Sequence, residues 1–339
     1  MRVPFFLSGK QKIKSLLGMA AIVLALSFLF FSCTSCDHKD CRTVYNRQIE
    51  KQHVHPDPSV QKNTFNTKWL KKKGEFYYTK KGAPYRVVNG VDISRHQGIV
   101  DFDLLRKNGY EFVFLRLAYR RYGYESGNLV KDENFDRYYE DAKKAGFKVG
   151  VYVYSQAIND EEALEEARIV IDNLKPYMLD LPVVYDPEFV FYDEARTDMV
   201  SEDVFCRNTQ IFLDAVEAEG FKTMIYANLM WEFFVFTPEL LRRNDIWFAQ
   251  YSKKPTSPYK FTFWQYSGAS QIEGVETPCD MNVWFIPNEE IWEDPIMPDS
   301  PILEGSPFPE STDLDEDVIL DESAGSQMVE YESPAVPLP

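Results

Sequence analysis

Histidine is scarce in this chain. There are four in 339 residues, and only His96 falls between residues 85 and 288. A Ser-His-Asp hydrolase would need that one imidazole as its base, and no G-x-S-x-G elbow accompanies it. A zinc enzyme would need more nitrogen or thiolate ligands at suitable spacing. Glycine-rich phosphate loops are missing too, with neither a Walker sequence nor a G-x-G-x-x-G after a strand. Cysteine is sparse where a fold could use it. Of five, Cys33, Cys36 and Cys41 cluster near the start, leaving Cys206 and Cys279, whose pairing spacing alone does not decide. No cofactor or metal is expected from this inventory.

Basic residues are absent from one long stretch. Residues 289–339 contain 15 acids and no Lys or Arg, so the net charge of −16 belongs almost wholly to that tail and the remainder stands at −1. Rich in Pro and Ser and without periodicity, the tail is expected to be disordered and solvated. Nothing in the charge pattern points to a nucleic-acid partner. At the other end, Arg2, Lys10, Lys12 and Lys14 precede an apolar run from Leu16 to Phe31, which is short for a bilayer span. Residues 1–32 therefore read as an export signal. Its ending, LFFSC, is similar to a bacterial lipoprotein signal with Cys33 as the lipidated residue and Cys36 as the alternative. An uncleaved anchor and a plain secretory signal are the competing readings. All three place the folded part outside the cytoplasm, in the cell envelope. Residues 33–73 are expected to form a polar linker.

Residues 74–288 alternate between strand and helix patterns. GEFYYTKKGAPYRVV predicts a leading hairpin over 74–88, turning at Lys-Lys-Gly. VNGVDIS, EFVFLRLAY, KVGVYVYS, LPVVYD and KTMIYAN read as strands, several apolar on both faces as buried parallel strands are. Helical segments separate them, with Asn159 and Ser201 as expected N-caps. Past TPELLRRN the segments DIWFAQYS, KFTFWQYSG and CDMNVWF follow without long helices. The expected architecture is an α/β barrel, irregular and TIM-like, of about five βα units closed by further strands.

In such a barrel chemistry belongs at the C-terminal ends of strands. The acids expected there are Asp92, Asp186, Glu188 and Asp280. A lone Asp after a strand is commonly a cap or turn residue. Asp186 and Glu188 are different, because residues i and i+2 of a strand share a face and two adjacent carboxyls raise each other's pKa. Paired acids at a strand end suit glycosidic bond cleavage. Pro187 between them is expected to end the strand. Tyr119, Tyr152, Tyr154, Tyr226, Trp247, Tyr251, Trp264 and Tyr266 accompany the strand ends, as sugar-stacking faces or as core. Tyr152 and Tyr154 share one face.

GVDISRHQG, FVFLRLAY, DENFDRYYEDAKKAGFKVGVYVYS, PVVYDPE, WFAQY and WQYSG followed by DMNVWF stand in an order and spacing that resemble glycoside hydrolase family 25, the Chalaropsis-type lysozymes, over roughly residues 89–285. The resemblance implies five βα units plus three further strands. It also implies cofactor-free cleavage, with retention, of the β-1,4 bond between N-acetylmuramic acid and N-acetylglucosamine in peptidoglycan. By position it implies Glu188 as general acid and base, and Asp186 as a stabiliser of the intermediate or a nucleophile. Asp92 and Asp280 would orient that pair, with Tyr119, Tyr154, Tyr226, Trp247 and Gln265 on the substrate side. The partners implied are peptidoglycan strands and, through the N-terminal lipid or anchor, a membrane. A non-catalytic glycan binder on the same fold is the alternative, and the oligomeric state is not legible.

Overall fold

The computed structural model describes residues 55–79, 84–123, 127–190 and 194–288. The signal segment, Cys33, Cys36, the first part of the expected linker and the acidic tail lie outside the described residues. A small antiparallel hairpin comes first, with β1 (Leu70–Lys73) against β2 (Glu75–Tyr78). The barrel strands follow: β3 (Tyr85–Ile93), β4 (Tyr110–Arg120), β6 (Lys148–Ser155), β7 (Val183–Pro187), β8 (Thr223–Asn228), β9 (Ile246–Ala249), β10 (Phe263–Ser270) and β11 (Cys279–Pro287). A short β5 (Leu129–Lys131) extends β4 antiparallel.

Ladders run β3–β11–β10–β9–β8–β7–β6–β4, and β3 pairs with β4 to close the ring at eight strands. Seven of these are mutually parallel, and β11 alone runs antiparallel to both neighbours. Every residue of β7 and of β9 is buried. That is the environment of a parallel stave with side chains inside and helices outside, and it explains the unalternated apolar runs.

Among the described residues five α-helices connect the strands: α1 (Phe102–Lys107), α2 (Phe135–Lys144), α3 (Asp160–Leu174), α4 (Glu202–Ala218) and α5 (Pro238–Arg243). Asn159 caps α3 as expected, its side chain accepting from Glu162 N at 2.9 Å. Ser201 occupies the cap position of α4 without a side-chain cap bond. No helix intervenes after β9 or β10 among the described residues. The barrel therefore has five βα units and three closing strands.

Aromatic rings fill the interior. Phe114 stacks on Trp247 at 4.6 Å and meets Phe263 edge-on at 5.0 Å. Room for these rings comes from Gly90 and Gly150. A Cβ on Gly90 would lie 2.5 Å from the Phe112 ring, and one on Gly150 would lie 2.4 Å from Phe114.

Two boundary expectations are corrected. The described hairpin turns at Gly74, whose φ of 76° suits glycine, and pairs Lys73 with Glu75, so β2 ladders with the strand before it; the expected Lys-Lys-Gly turn lies outside the described residues. The side chain of Asn89 on β3 meets β2 instead, accepting from Phe76 N and donating to Phe76 O, each at 3.1 Å. The polar linker also ends earlier than Lys73. Val60 and Leu70 are buried, Asn63 N donates to Pro258 O at 2.8 Å, and Phe65 stacks on Phe285 at 4.1 Å. Polar composition hid three apolar anchors in this segment.

Candidate active site

The four expected acids meet at one mouth of the barrel. Asp92 lies near the end of β3, Asp186 at the end of β7, and Glu188 just beyond Pro187, where the β6–β7 ladder stops. Asp280 arrives differently from expected. It sits at the start of β11, and because that strand is antiparallel its beginning lies at the same mouth, in register with Asp92. All four line a cleft of about 210 Å³ together with Arg116, Tyr152, Tyr154, Tyr226, Trp247, Tyr251 and Gln265.

Hydrogen bonds give the acids unequal surroundings. Asp92 Oδ2 accepts from Gln265 Nε2 at 2.9 Å and from Asn282 Nδ2 at 2.7 Å. Asp92 also shares a hydrogen bond with the Asp280 carboxyl. Burial and then the charge of Asp92 push Asp280 well above the carboxylate range, and the bond between the two raises Asp280 further while lowering Asp92. Asp186 is likewise pushed well up, by burial first and then by Glu188 and Asp92, against the opposing charge of Arg116. Its Oδ1 is buried without a hydrogen-bond partner. Glu188 is raised to about 7, by burial and then by Asp92, while a hydrogen bond from Asp186 works in the opposite direction. Interacting carboxyls titrate as a group, and this group holds protons at neutral pH.

Arg116 is the cation on the cleft wall, and it is already engaged: its Nε and Nη2 both reach Asp132 Oδ2 at 2.9 Å. Its signal was available as one charged residue inside the apolar run FVFLRLAY. Asn282 was also missed, although it stands two residues after Asp280 and so on the same strand face.

The expected substrate-side residues divide. Tyr154 lines the cleft beside Tyr152, on one face as alternation required. Tyr226, Gln265 and Trp247 line it as floor. Tyr226 Oη donates to Gln265 Oε1 at 2.8 Å, and Trp247 Nε1 donates to Asn282 Oδ1 at 2.8 Å. Both amides pass the connection on to Asp92. Trp247 is 1% exposed, so it offers no free face for a sugar ring. Tyr119 does not line the cleft; its ring lies 4.6 Å from the Arg116 guanidinium and supports it from behind. Tyr251, half exposed and donating to Gln265 Oε1 at 3.1 Å, is the rim aromatic instead. Cys206 and Cys279 are free thiols. No group of His, Cys, Asp and Glu able to hold a metal ion occurs among the described residues.

A closed α/β barrel with paired carboxyls at its mouth is an arrangement that glycosidases use. The profile of glycosyl hydrolases family 25 matches residues 91–275, more than half of the chain, and the chain belongs to that family. It is 26% identical over 200 residues to the autolytic lysozyme of Clostridium acetobutylicum, covering 58% of this chain and 55% of that one. It is 24% identical over 205 residues to the uncharacterized protein YegX of Escherichia coli K12, covering 58% and 69%. Among solved structures it is similar to the modular autolysin LytC of Streptococcus pneumoniae in complex with a synthetic peptidoglycan ligand, with a TM-score of 0.52, 21% identity, and coverage of 64% of this chain and 52% of that one. The chain thus spans about half the length of the lysozyme and the autolysin it matches.

Proposed function

We propose that this protein is a peptidoglycan hydrolase that cleaves the β-1,4 bond between N-acetylmuramic acid and N-acetylglucosamine with retention. The observation that carries the reading is the gathering of four buried carboxyls in the mouth of a family 25 barrel, with Glu188 held near pH 7. A general acid works best with a pKa near the operating pH. Glu188 protonates the leaving glycosidic oxygen as the C1–O bond breaks, then takes a proton from the water that completes hydrolysis. Asp186, whose Oδ1 has no hydrogen-bond partner, is the group that meets the positive charge developing at the sugar, and that charge draws its carboxyl from the protonated toward the ionised form. Asp186 and Glu188 are in hydrogen-bond contact. That leaves no room for the water an inverting reaction places between its two acids, and so favours retention. Asp92, itself raised by burial against the three hydrogen bonds that favour its charged form, is the carboxyl whose charge keeps the proton on Glu188, and Asp280 braces it. The lysozyme and the peptidoglycan-bound autolysin among its relatives support the substrate class.

The test is digestion of purified peptidoglycan followed by identification of the new reducing ends. N-acetylmuramic acid ends are expected from the wild type and none from Glu188→Gln. N-acetylglucosamine ends would mean the other bond is cut. No ends, with retained pull-down on glycan, would mean a binding protein on this fold. Export and tethering through lipid on Cys33, with Cys36 as the alternative, complete the proposal from the signal-like sequence. Metabolic lipid labelling that disappears in Cys33→Ala would support it, and an unlabelled wild type would refute it.

A further inference from the structure

Glu188 has a positional problem that the sheet does not solve. The last ladder pair of β6 and β7 is Ser155 with Pro187, so Glu188 lies one residue beyond the hydrogen-bonded strand. Pro187 has no N–H with which to extend the ladder. A proton donor on an unsupported backbone would not hold its height over the cleft.

The support comes from one side chain. Gln156 is completely buried, and its Nε2 donates to the backbone carbonyl of Glu188 at 2.6 Å and to Tyr154 Oη at 3.3 Å. The amide is oriented from its other end, where the hydroxyl of buried Thr197 donates to Gln156 Oε1 at 2.9 Å. With that oxygen occupied by a donor, the NH₂ group must face Glu188. The backbone around Gln156 is pinned as well. Ala157 N donates to Ser155 Oγ at 3.2 Å, and Ala157 O accepts from Asn208 Nδ2 at 3.0 Å. Arg196, next to Thr197, donates to Gln156 O at 3.2 Å and grips both oxygens of Glu162 at 2.6 and 2.8 Å. Thr197, Gln156 and Glu188 thus form a relay from a loop tied to α3 to a residue with no strand partner.

We propose that Gln156 is a positioning residue that takes over from the sheet where Pro187 ends it, holding Glu188 and Tyr154 in one geometry, and that Thr197 sets which way its amide faces. This deepens the muramidase reading and rests on Glu188 being the proton donor. Gln156 touches no substrate; it acts through the backbone of Glu188. A displacement of about 1 Å at such a group can cost on the order of 100-fold in rate.

The experiment measures kcat, KM and the pH dependence of kcat on a soluble peptidoglycan fragment, with Glu188→Gln as the parallel control. Gln156→Met keeps the volume and removes the donor. Its kcat is expected to fall roughly 10- to 100-fold, with KM changed less than about two-fold and the alkaline limb moved to lower pH. That direction follows because a Glu188 freed to turn toward water loses the burial that raises its pKa. Thr197→Val should shift kcat and the limb the same way by a smaller amount, and Thr197→Ser, which restores the hydroxyl, should restore both. The proposal falls if Gln156→Met keeps the wild-type kcat and limb while Glu188→Gln is inactive. It also falls if Thr197→Val and Thr197→Ser behave alike. Should Gln156→Met fail to fold, the Thr197 pair decides alone. Wild-type turnover in Glu188→Gln would instead remove the parent reading, whatever Gln156 does.

Discussion

β7 has two acid clusters, one on each face, and they are built on opposite principles. Tyr185 points outward. Its hydroxyl donates at 3.0 Å to Glu166 Oε2, which also accepts from Ser155 Oγ at 2.7 Å. The other oxygen of Glu166 takes Arg120 Nε at 2.7 Å, and the rest of that guanidinium bonds Gly127 O, Glu162 O and Glu165. Asp186, the next residue, points inward to a cleft where four carboxyls face one arginine already committed to Asp132. The outer cluster matches each oxygen of its buried acid with a donor and so ties α3 to the barrel. The inner one leaves an oxygen of Asp186 bare. Burial raises the pKa of both Glu166 and Asp186, and Arg120 and two hydroxyls oppose it in one case only with full geometry. Matched acids serve the fold, while unmatched ones are kept for a ligand.

Two substitutions would break that contrast if it is wrong. Glu188→Gln is expected to lower activity about 10²- to 10⁴-fold. Its melting temperature should stay level or rise, because a buried acid becomes neutral without losing volume. Arg120→Met should do the reverse. Removing one partner of a buried ion pair costs about 3–5 kcal/mol, here reduced by whatever proton Glu166 takes up. For a domain of this size that corresponds to roughly 6–20 °C in Tm. Turnover per folded molecule at low temperature should be nearly retained. Calorimetry and initial rates on the two variants would show an exchange of effects if the clusters were misassigned.

The fold was largely legible because its signals are local. Unalternated apolar strands, the helical segments between them and a late change to short strand segments together describe a barrel closed by three extra strands. Register and direction were not legible. Nothing in CDMNVWF says that β11 runs backwards, although that reversal is what carries Asp280 to the mouth. The acids could be read because carboxylate pairs are improbable without a reason. The aromatics could not, since the sequence is the same whether a ring stacks on sugar or on Phe114, and Trp247 proved to be floor and Tyr119 a prop for Arg116. Gln156 left no trace, because its importance arises from where a neighbouring strand stops.

The inner cluster can be dissected further through Glu188. Burial and Asp92 raise it, whereas Asp186 lowers it through a hydrogen bond. Adjacency in sequence suggests that Asp186 does the raising, but the charge effect runs the other way: Glu188 raises Asp186, and Asp186 acts on Glu188 through the hydrogen bond. Asp92→Asn should therefore move the alkaline limb of residual activity to lower pH, with Asp186→Asn leaving it in place or moving it upward. A downward shift in Asp186→Asn alone would restore simple charge repulsion between the adjacent pair.

Another buried acid sharpens the rule, being neither matched nor in the cleft. Glu232, in the π turn (Trp231–Val235) after β8, is 2% exposed, and its two oxygens lie 2.8 and 2.9 Å from the single hydroxyl of Ser257. Burial pushes it from 4.5 up to about 8, against those hydrogen bonds. One hydroxyl proton cannot serve both oxygens fully, so a proton on Glu232 completes the pair. The sign follows from linkage. The folded state holds this proton in a window where the unfolded chain releases it, so the stability gained from neutral Glu232 is complete below about pH 4.5 and is lost as pH rises to about 8. Within that window a single group changes stability by at most about 1.4 kcal/mol per pH unit. Glu232→Gln cannot ionise and can still accept from Ser257. Urea denaturation should find it close to the wild type at pH 4.5 and increasingly more stable toward pH 8, with activity unchanged because Glu232 does not line the cleft. A pH-independent difference between the two proteins would mean that Glu232 does not titrate in this window. A loss of activity would mean that this acid, too, is kept for the ligand.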